Sequence, residues 1–333
     1  KILNYGALIG KSGEIEEREI YGRMGKMWYY YVRDSKQEDS IERILKRELG
    51  LNRKQISRLK FQENGLSVDG CQRRSTDWLR RGETLAVSLM DRQGGTLEEL
   101  KEEPRVLYED ESLVVVEKRS GQVCHPSGMH YRDSLANQLV WHFQNRQENT
   151  SVRIIGRLDK DTSGIVVAAK HKIAAQKLSW QRDRGIFGKE YLALVHGEFS
   201  DFDGFLREPI ARVQGHPLKM KVCAQGKPAK TQYHVIAQNR GYALVSCRLY
   251  TGRTHQIRVH MQSIGHPLVN DVIYGLGEQD DFAKTLENEQ KIAGDRHKKL
   301  GLHAAKVWMR HPLSGEELIL ESACDFLAWI EVL

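Results

Sequence analysis

Gly156-Arg157-Leu158-Asp159-Lys160-Asp161-Thr162-Ser163-Gly164 runs directly into the apolar stretch Ile165-Val166-Val167-Ala168-Ala169. A carboxylate, Asp159, stands between two cations in a short polar turn, and a segment with the character of a buried strand follows. Turns are where side chains meet substrates, and a buried strand behind a turn holds such a group still. The adjacent Arg157 and Lys160 favour an ionised carboxylate. By local chemistry alone the same stretch also suits a solvated charged turn, so the rest of the chain has to decide.

Composition bounds the answer. The 333 residues suffice for two domains, and a 40% hydrophobic content supplies a core. Lys and Arg number 51 against 44 Asp and Glu, a formal charge of +7 that favours a polyanionic partner. No run approaches the length of a membrane-spanning helix, and no stretch has the pattern of a signal peptide, so no membrane association is expected. The five cysteines (Cys71, Cys124, Cys223, Cys247 and Cys324) are scattered and form no Cys-x-x-Cys pair. That argues against a zinc site or a disulfide framework and fits a reducing cytoplasm. His255, His260 and His266 lie close in sequence, yet no Cys or carboxylate completes a ligand set, so no metal is expected. Nor is there a phosphate-binding glycine loop or a nucleotide motif; no cofactor is expected.

Along the chain, residues 1–38 read as a leader or an N-terminal strand segment, with Met27-Trp28-Tyr29-Tyr30-Tyr31-Val32 as the strand. Residues 39–90 read as a compact unit. Ser40 caps a helix carrying Ile41, Ile44, Leu45 and Leu49, and Gly50 stops it. A second helix buries Ile56 and Leu59 and displays Arg53, Lys54, Arg58 and Lys60. A small sheet follows. Residues 91–104 read as a linker and 105–333 as the main domain, with helices over 134–146 and 171–184 and a polar insertion at 277–299. Strands outnumber helices with few helical crossovers between them, which predicts an α+β fold built on a mixed, largely antiparallel sheet.

Several ordered blocks then carry a resemblance. Arg157-Leu158-Asp159 with Thr162-Ser163-Gly164 is joined upstream by Glu117-Lys118-Arg119 and His125-Pro126-Ser127-Gly128. Downstream come Phe187-Gly188-Lys189-Glu190-Tyr191, then Thr251-Gly252-Arg253-Thr254-His255-Gln256-Ile257-Arg258, then Gly265-His266-Pro267 with Asn270-Asp271 and Tyr274-Gly275. This set resembles the RluA-type RNA pseudouridine synthases over roughly two hundred residues. Arg119 stands where the family usually has Pro, and Asn270 where it often has Gly. The resemblance implies a pseudouridine synthase fold with a catalytic cleft and flanking helices. The first unit resembles an S-four-like RNA-binding domain, in which the basic second helix lies on RNA.

The resemblance also implies roles. Asp159 is the catalytic nucleophile or base, Arg253 pairs with it, and Tyr191 stacks on the uracil. Arg157 fills the space of a base extruded from the RNA, and His255 and Gln256 brace the Arg253 loop beside the substrate. Lys118, Lys160, Lys189 and Arg258 are expected to form a phosphate-facing rim. The tandem arrangement points to large-subunit ribosomal RNA, with transfer RNA next, acted on by a monomer. A non-catalytic RNA-binding or ribosome-assembly factor would keep the fold but lose Asp159, Tyr191 or Arg253, and all three are present.

Overall fold

The computed structural model describes residues 23–24, 27–32, 38–59, 61–62, 65–89, 97–148, 150–277, 299–324 and 326. Lys60 and residues 278–298 of the expected insertion lie outside the described residues. The chain divides into two units, Lys1–Leu89 and Met90–Leu333.

The first unit is built from the expected signals. The Ser40 hydroxyl accepts the Arg43 N–H, the helix runs Ile41–Leu49, and Gly50 ends it in a left-handed conformation at φ 66°. Asn52 and Gln55 exchange side-chain to backbone hydrogen bonds and open the helix Arg53–Leu59. Ile41, Ile44, Leu45, Leu49 and Ile56 are buried with Leu66, Val68, Leu85 and Val87. The strand Met27–Tyr31 pairs antiparallel with Thr84–Ser88 and buries Trp28 and Tyr30. A boundary at residue 39 is therefore corrected: the aromatic strand belongs to the sheet of this unit, because its alternate rings complete that core.

In the second unit, eight strands lie side by side in one sheet. The order is Asp203–Leu206, Thr231–Asn239, Tyr242–Leu249, Gly188–His196, Leu302–Arg310, Ser163–Ala169, Leu113–Lys118 and Arg105–Glu109. Arg153–Ile155 pairs with Ser163–Ala169, and Glu317–Glu321 with Leu302–Arg310. Every pairing is antiparallel except that of Ser163–Ala169 with Leu302–Arg310. With helices on the sheet, the fold is α+β, mixed and mostly antiparallel.

The apolar run after the Asp159 turn is apolar on both faces for a structural reason. Val166 and Ala168 pack with Leu135, Leu139 and Phe143 of the helix Leu135–Asn145. Ile165, Val167 and Ala169 pack on the other side with Ala174 and Leu178 of the helix Lys172–Asp183. A strand covered on both sides reads as a continuous hydrophobic run. The expected 91–104 linker is also shortened. Glu98 and Glu103 carbonyls accept from Asn137 Nδ2 (2.6 Å) and Gln138 Nε2 (3.2 Å), so this stretch is tied to the first of those helices.

Buried lysines fix the turn that carries Asp159. Lys118 is fully buried, and its ammonium donates to the carbonyls of Arg119 (2.8 Å), Gln122 (2.7 Å) and Lys160 (2.8 Å). Lys189, also buried, donates to Gly156 O (3.1 Å) and Ile165 O (2.8 Å). Neither side chain can face a phosphate, which corrects their place in the expected rim. Their nitrogens are engaged by these backbone acceptors. Cys124 Sγ closes both polar groups of the Leu158 peptide at 3.3 Å, and Ser120 Oγ donates to Asp161 O at 2.7 Å. Gly164, at φ 107°, lies so close to the Ala304 backbone that any Cβ would run into it, and this lets the two parallel strands meet.

The two departures from the family pattern are locally accommodated. Asn270 adopts φ 56°, a left-handed conformation that Asn tolerates better than most residues, and donates to Lys299 O. Arg119 forms an ion pair with Glu102 at 2.7 Å.

Replacing Lys118 with Met strips the charged donor from three carbonyls, two of them in the segment 119–122. We expect a loss of about 3 kcal/mol, seen as a melting midpoint lower by roughly 6–12 °C. An unchanged midpoint in calorimetry would mean that the ammonium is not the tie described here.

Candidate active site

Asp159 stands half-buried at a cleft of about 770 Å³. Its walls come from the 156–162 turn, the start of the strand Gly188–His196, and the loop 249–258. Asp159, Tyr191 and Arg253, three segments apart in sequence, all line it. The Asp159 carboxylate makes no hydrogen bond or ion pair with any described residue, although the peptides around it are tied down. A half-buried carboxylate without a protein partner, on an immobilised turn, is a group held ready for something else.

Tyr191 is 8% exposed and packs in the apolar cluster that includes Cys247 and Ile257. Burial, and then the charge of Asp159, push its phenol well above the usual tyrosine range. The ring is therefore a neutral, apolar plate whose hydroxyl can donate, and that hydroxyl has no partner among the described residues. Arg253 is half-buried, and its Nε donates to Pro228 O at 2.8 Å. It forms no ion pair with Asp159, so the pairing implied by the resemblance is not made in this structure, where its Nε is engaged by the Pro228 carbonyl.

The Arg253 loop is braced from beneath by Gln256. Its buried amide accepts from Thr251 Oγ1 (2.8 Å) and Arg253 N–H (3.0 Å), and donates to Lys230 O (3.1 Å) and Thr231 Oγ1 (2.9 Å). With its side-chain oxygen and nitrogen both engaged, Gln256 positions the loop. His255 is different. It stands at φ 55° before the helix Gln256–Ser263, with Nδ1 2.8 Å from the Tyr274 hydroxyl. That hydroxyl already accepts the Met220 N–H, so it donates to Nδ1. Burial lowers the imidazole pKa. The ring is then neutral with its proton on Nε2, which lacks a protein partner among the described residues.

Arg258 lines the base of the cleft but is only 2% exposed. It grips Asp271 through two bonds of 2.7 and 2.6 Å, and Asp271 also accepts the N–H groups of Ile273 and Tyr274. This corrects its place in the phosphate rim: a buried bidentate pair through Nε and Nη2 holds the 271–274 turn to the helix. Of the expected rim Lys160 is exposed, and Arg157, expected to fill the place of the extruded base, is exposed on the cleft wall.

Several lining residues carried no sequence signal, among them Arg182, Arg248, Tyr250 and Trp308. They come from separate strands and helix ends, and no spacing connects them. Asp271 had a signal, its place in a motif block, but its partner Arg258 is apparent only once the helix folds back on the turn. Among the described residues no three His, Cys, Asp or Glu side chains converge as metal ligands would.

Comparison with known proteins agrees with this arrangement. The family described as RNA pseudouridylate synthase matches residues 112–263, a span that contains Asp159, Tyr191 and Arg253. The uncharacterized RNA pseudouridine synthase YjbO of Bacillus subtilis (strain 168) is 35% identical over 245 residues, covering 73% of this chain and 86% of its own. The ribosomal large subunit pseudouridine synthase D of Nitrosomonas europaea is 38% identical over 218 residues, covering 66% of this chain and 61% of its own. Human RNA Pseudouridylate Synthase Domain Containing 1 shares the fold, with a TM-score of 0.52 at 24% identity over 72% of this chain and 89% of that one. On this sequence kinship, the chain belongs to the RNA pseudouridine synthase family and is of the RluA type.

Proposed function

We propose that this RNA pseudouridine synthase isomerises specific uridines of large-subunit ribosomal RNA, with Asp159 as its catalytic residue and no cofactor. The observation that carries the reading is the Asp159 carboxylate, without a partner among the described residues and held on a tied turn at the same cleft as Tyr191 and Arg253. Relatives named ribosomal large subunit pseudouridine synthase D, from Nitrosomonas europaea and Zymomonas mobilis among others, support the substrate class.

The reaction breaks the bond between ribose C1′ and uracil N1, turns the base, and joins C1′ to C5. The C5 proton leaves, N1 gains a proton, and no other atom enters or departs. Asp159 acts as nucleophile or base when the glycosidic bond breaks and a cation-like sugar needs an anion beside it. Tyr191 covers the extruded uracil with its ring and keeps its hydroxyl proton, since its raised pKa leaves it neutral at any working pH. Arg253 supplies fixed positive charge at the mouth, and His255 a neutral N–H donor. Arg157 occupies the gap left in the RNA by the extruded base.

The first unit contributes RNA affinity in this reading. Arg53, Lys54 and Arg58 are exposed on one helix, and none forms an ion pair with a described residue. Such free cations suit phosphate contact.

Asp159→Ala is expected to abolish pseudouridine formation on RNA from cells lacking the gene, while RNA affinity stays within about twofold. Mapping that finds the same modified site with both proteins would remove Asp159 from the chemistry. Replacing Arg53, Lys54 and Arg58 together with Gln should weaken binding to all RNAs alike and reduce the slope of log K against log salt by about 2. Modification at saturating RNA should persist, and an unaltered salt slope would take the first unit out of RNA binding.

A further inference from the structure

Phe205, on the strand Asp203–Leu206, and Tyr250, just past the strand Tyr242–Leu249, are 45% and 47% exposed. Their ring centroids lie 6.3 Å apart. The Lys230 ammonium sits over both, 4.8 Å from Phe205 and 4.4 Å from Tyr250. Arg248 continues the row, with its guanidinium 5.3 Å from the Tyr250 ring and 4.8 Å from the Trp308 ring. Arg207 lies beyond the other end, 5.3 Å from Phe205. Rings and cations thus run in one unbroken series, and Trp308, Arg248 and Tyr250 also line the Asp159 cleft. The row begins in the cleft and leads out to the end strand of the sheet.

Two features set this row apart from a ladder that merely stabilises strands. Arg207, Lys230 and Arg248 make no ion pair or side-chain hydrogen bond with a described residue. In the same unit Arg105, Arg119 and Arg132 are each matched to a glutamate. Phe205 and Tyr250 also leave nearly half of their surface in water, an arrangement that favours a covering partner.

We propose that this row is a track for unpaired RNA adjoining the target uridine. Bases stack on Phe205 and Tyr250, and the phosphates between them lie against Lys230, Arg248 and Arg207. The unmatched charges select a polyanion. The rings select a strand free of its complement, since a base inside a duplex offers edges and not faces. The track rests on the proposed function in that it places the target uridine at Asp159. It then selects uridines by context, accepting those whose neighbours can unstack.

The test uses the full-length protein with a short single-stranded RNA of mixed sequence carrying 5-iodouridine, and the same RNA annealed to its complement. Irradiation and peptide mapping should place cross-links from the single strand on Phe205 or Tyr250, and none there from the duplex. Combined Phe205→Ala and Tyr250→Ala should weaken single-strand binding about 10-fold or more with an unchanged melting midpoint, while Tyr250→Trp keeps it. Cross-links elsewhere together with unaltered affinity of the double variant would overturn the track, as would equal cross-linking of the duplex. Pseudouridine formation on total RNA by the wild-type protein reads the underlying function separately. Modification without these cross-links sinks the track alone, and cross-links without modification sink the reaction and uphold the track.

Discussion

Everything at the site depends on the hydrogen bonds from two buried ammonium groups to the carbonyls of the Asp159 turn and the segments packed against it. A turn has no ladder of its own, so its carbonyls need donors from elsewhere. Lys118 satisfies three acceptors drawn from two segments, and Lys189 joins Gly156 to Ile165 across the turn. Burial pushes both lysines down to about 8, yet at neutral pH they remain largely protonated and keep all three donors. Charge is thereby spent on geometry, and the turn cannot relax toward the carboxylate it presents.

The contrast between matched and unmatched charge organises the rest of the unit. His142 lies between Glu103 and Glu109, Lys170 joins Glu109 to Glu148, and Arg258 grips Asp271. These groups lock helices to strands and turns, and for the fully buried Arg258–Asp271 pair removing one partner leaves the other charge buried alone. Around the cleft the pattern reverses. Among the described residues Asp159 has no hydrogen-bond or ion-pair partner, the Tyr191 hydroxyl is unbonded, and Arg253 uses only its Nε. A site that leaves its own polar groups unsatisfied favours a ligand that satisfies them, which is how a rigid frame becomes selective.

The motif blocks made the cleft legible because much of its lining comes from short segments: the 156–162 turn, the start of the Tyr191 strand and the Arg253 loop. Helix ends were legible as well. Ser40, Gly50, Ser134 and His171 cap where local hydrogen-bonding rules place them. Misassigned lysines show the limit. Lys118, Lys189 and Lys160 look alike as letters in a basic motif, and only burial separates two ties from one exposed cation. Arg258 misled in the same way, since Asp271 stands thirteen residues away and meets it only across a packed turn.

Sequence by itself therefore determined the candidate site residues, the α+β class and the division into two units, because these reside in local order: turn, periodicity and cap. Tertiary structure alone decided which charges are available. Whether a cation meets a carbonyl, a carboxylate, a ring or water depends on what distant strands bring beside it, and that is how Lys230 and Arg248 come to lie between exposed rings while Lys118 vanishes into the core.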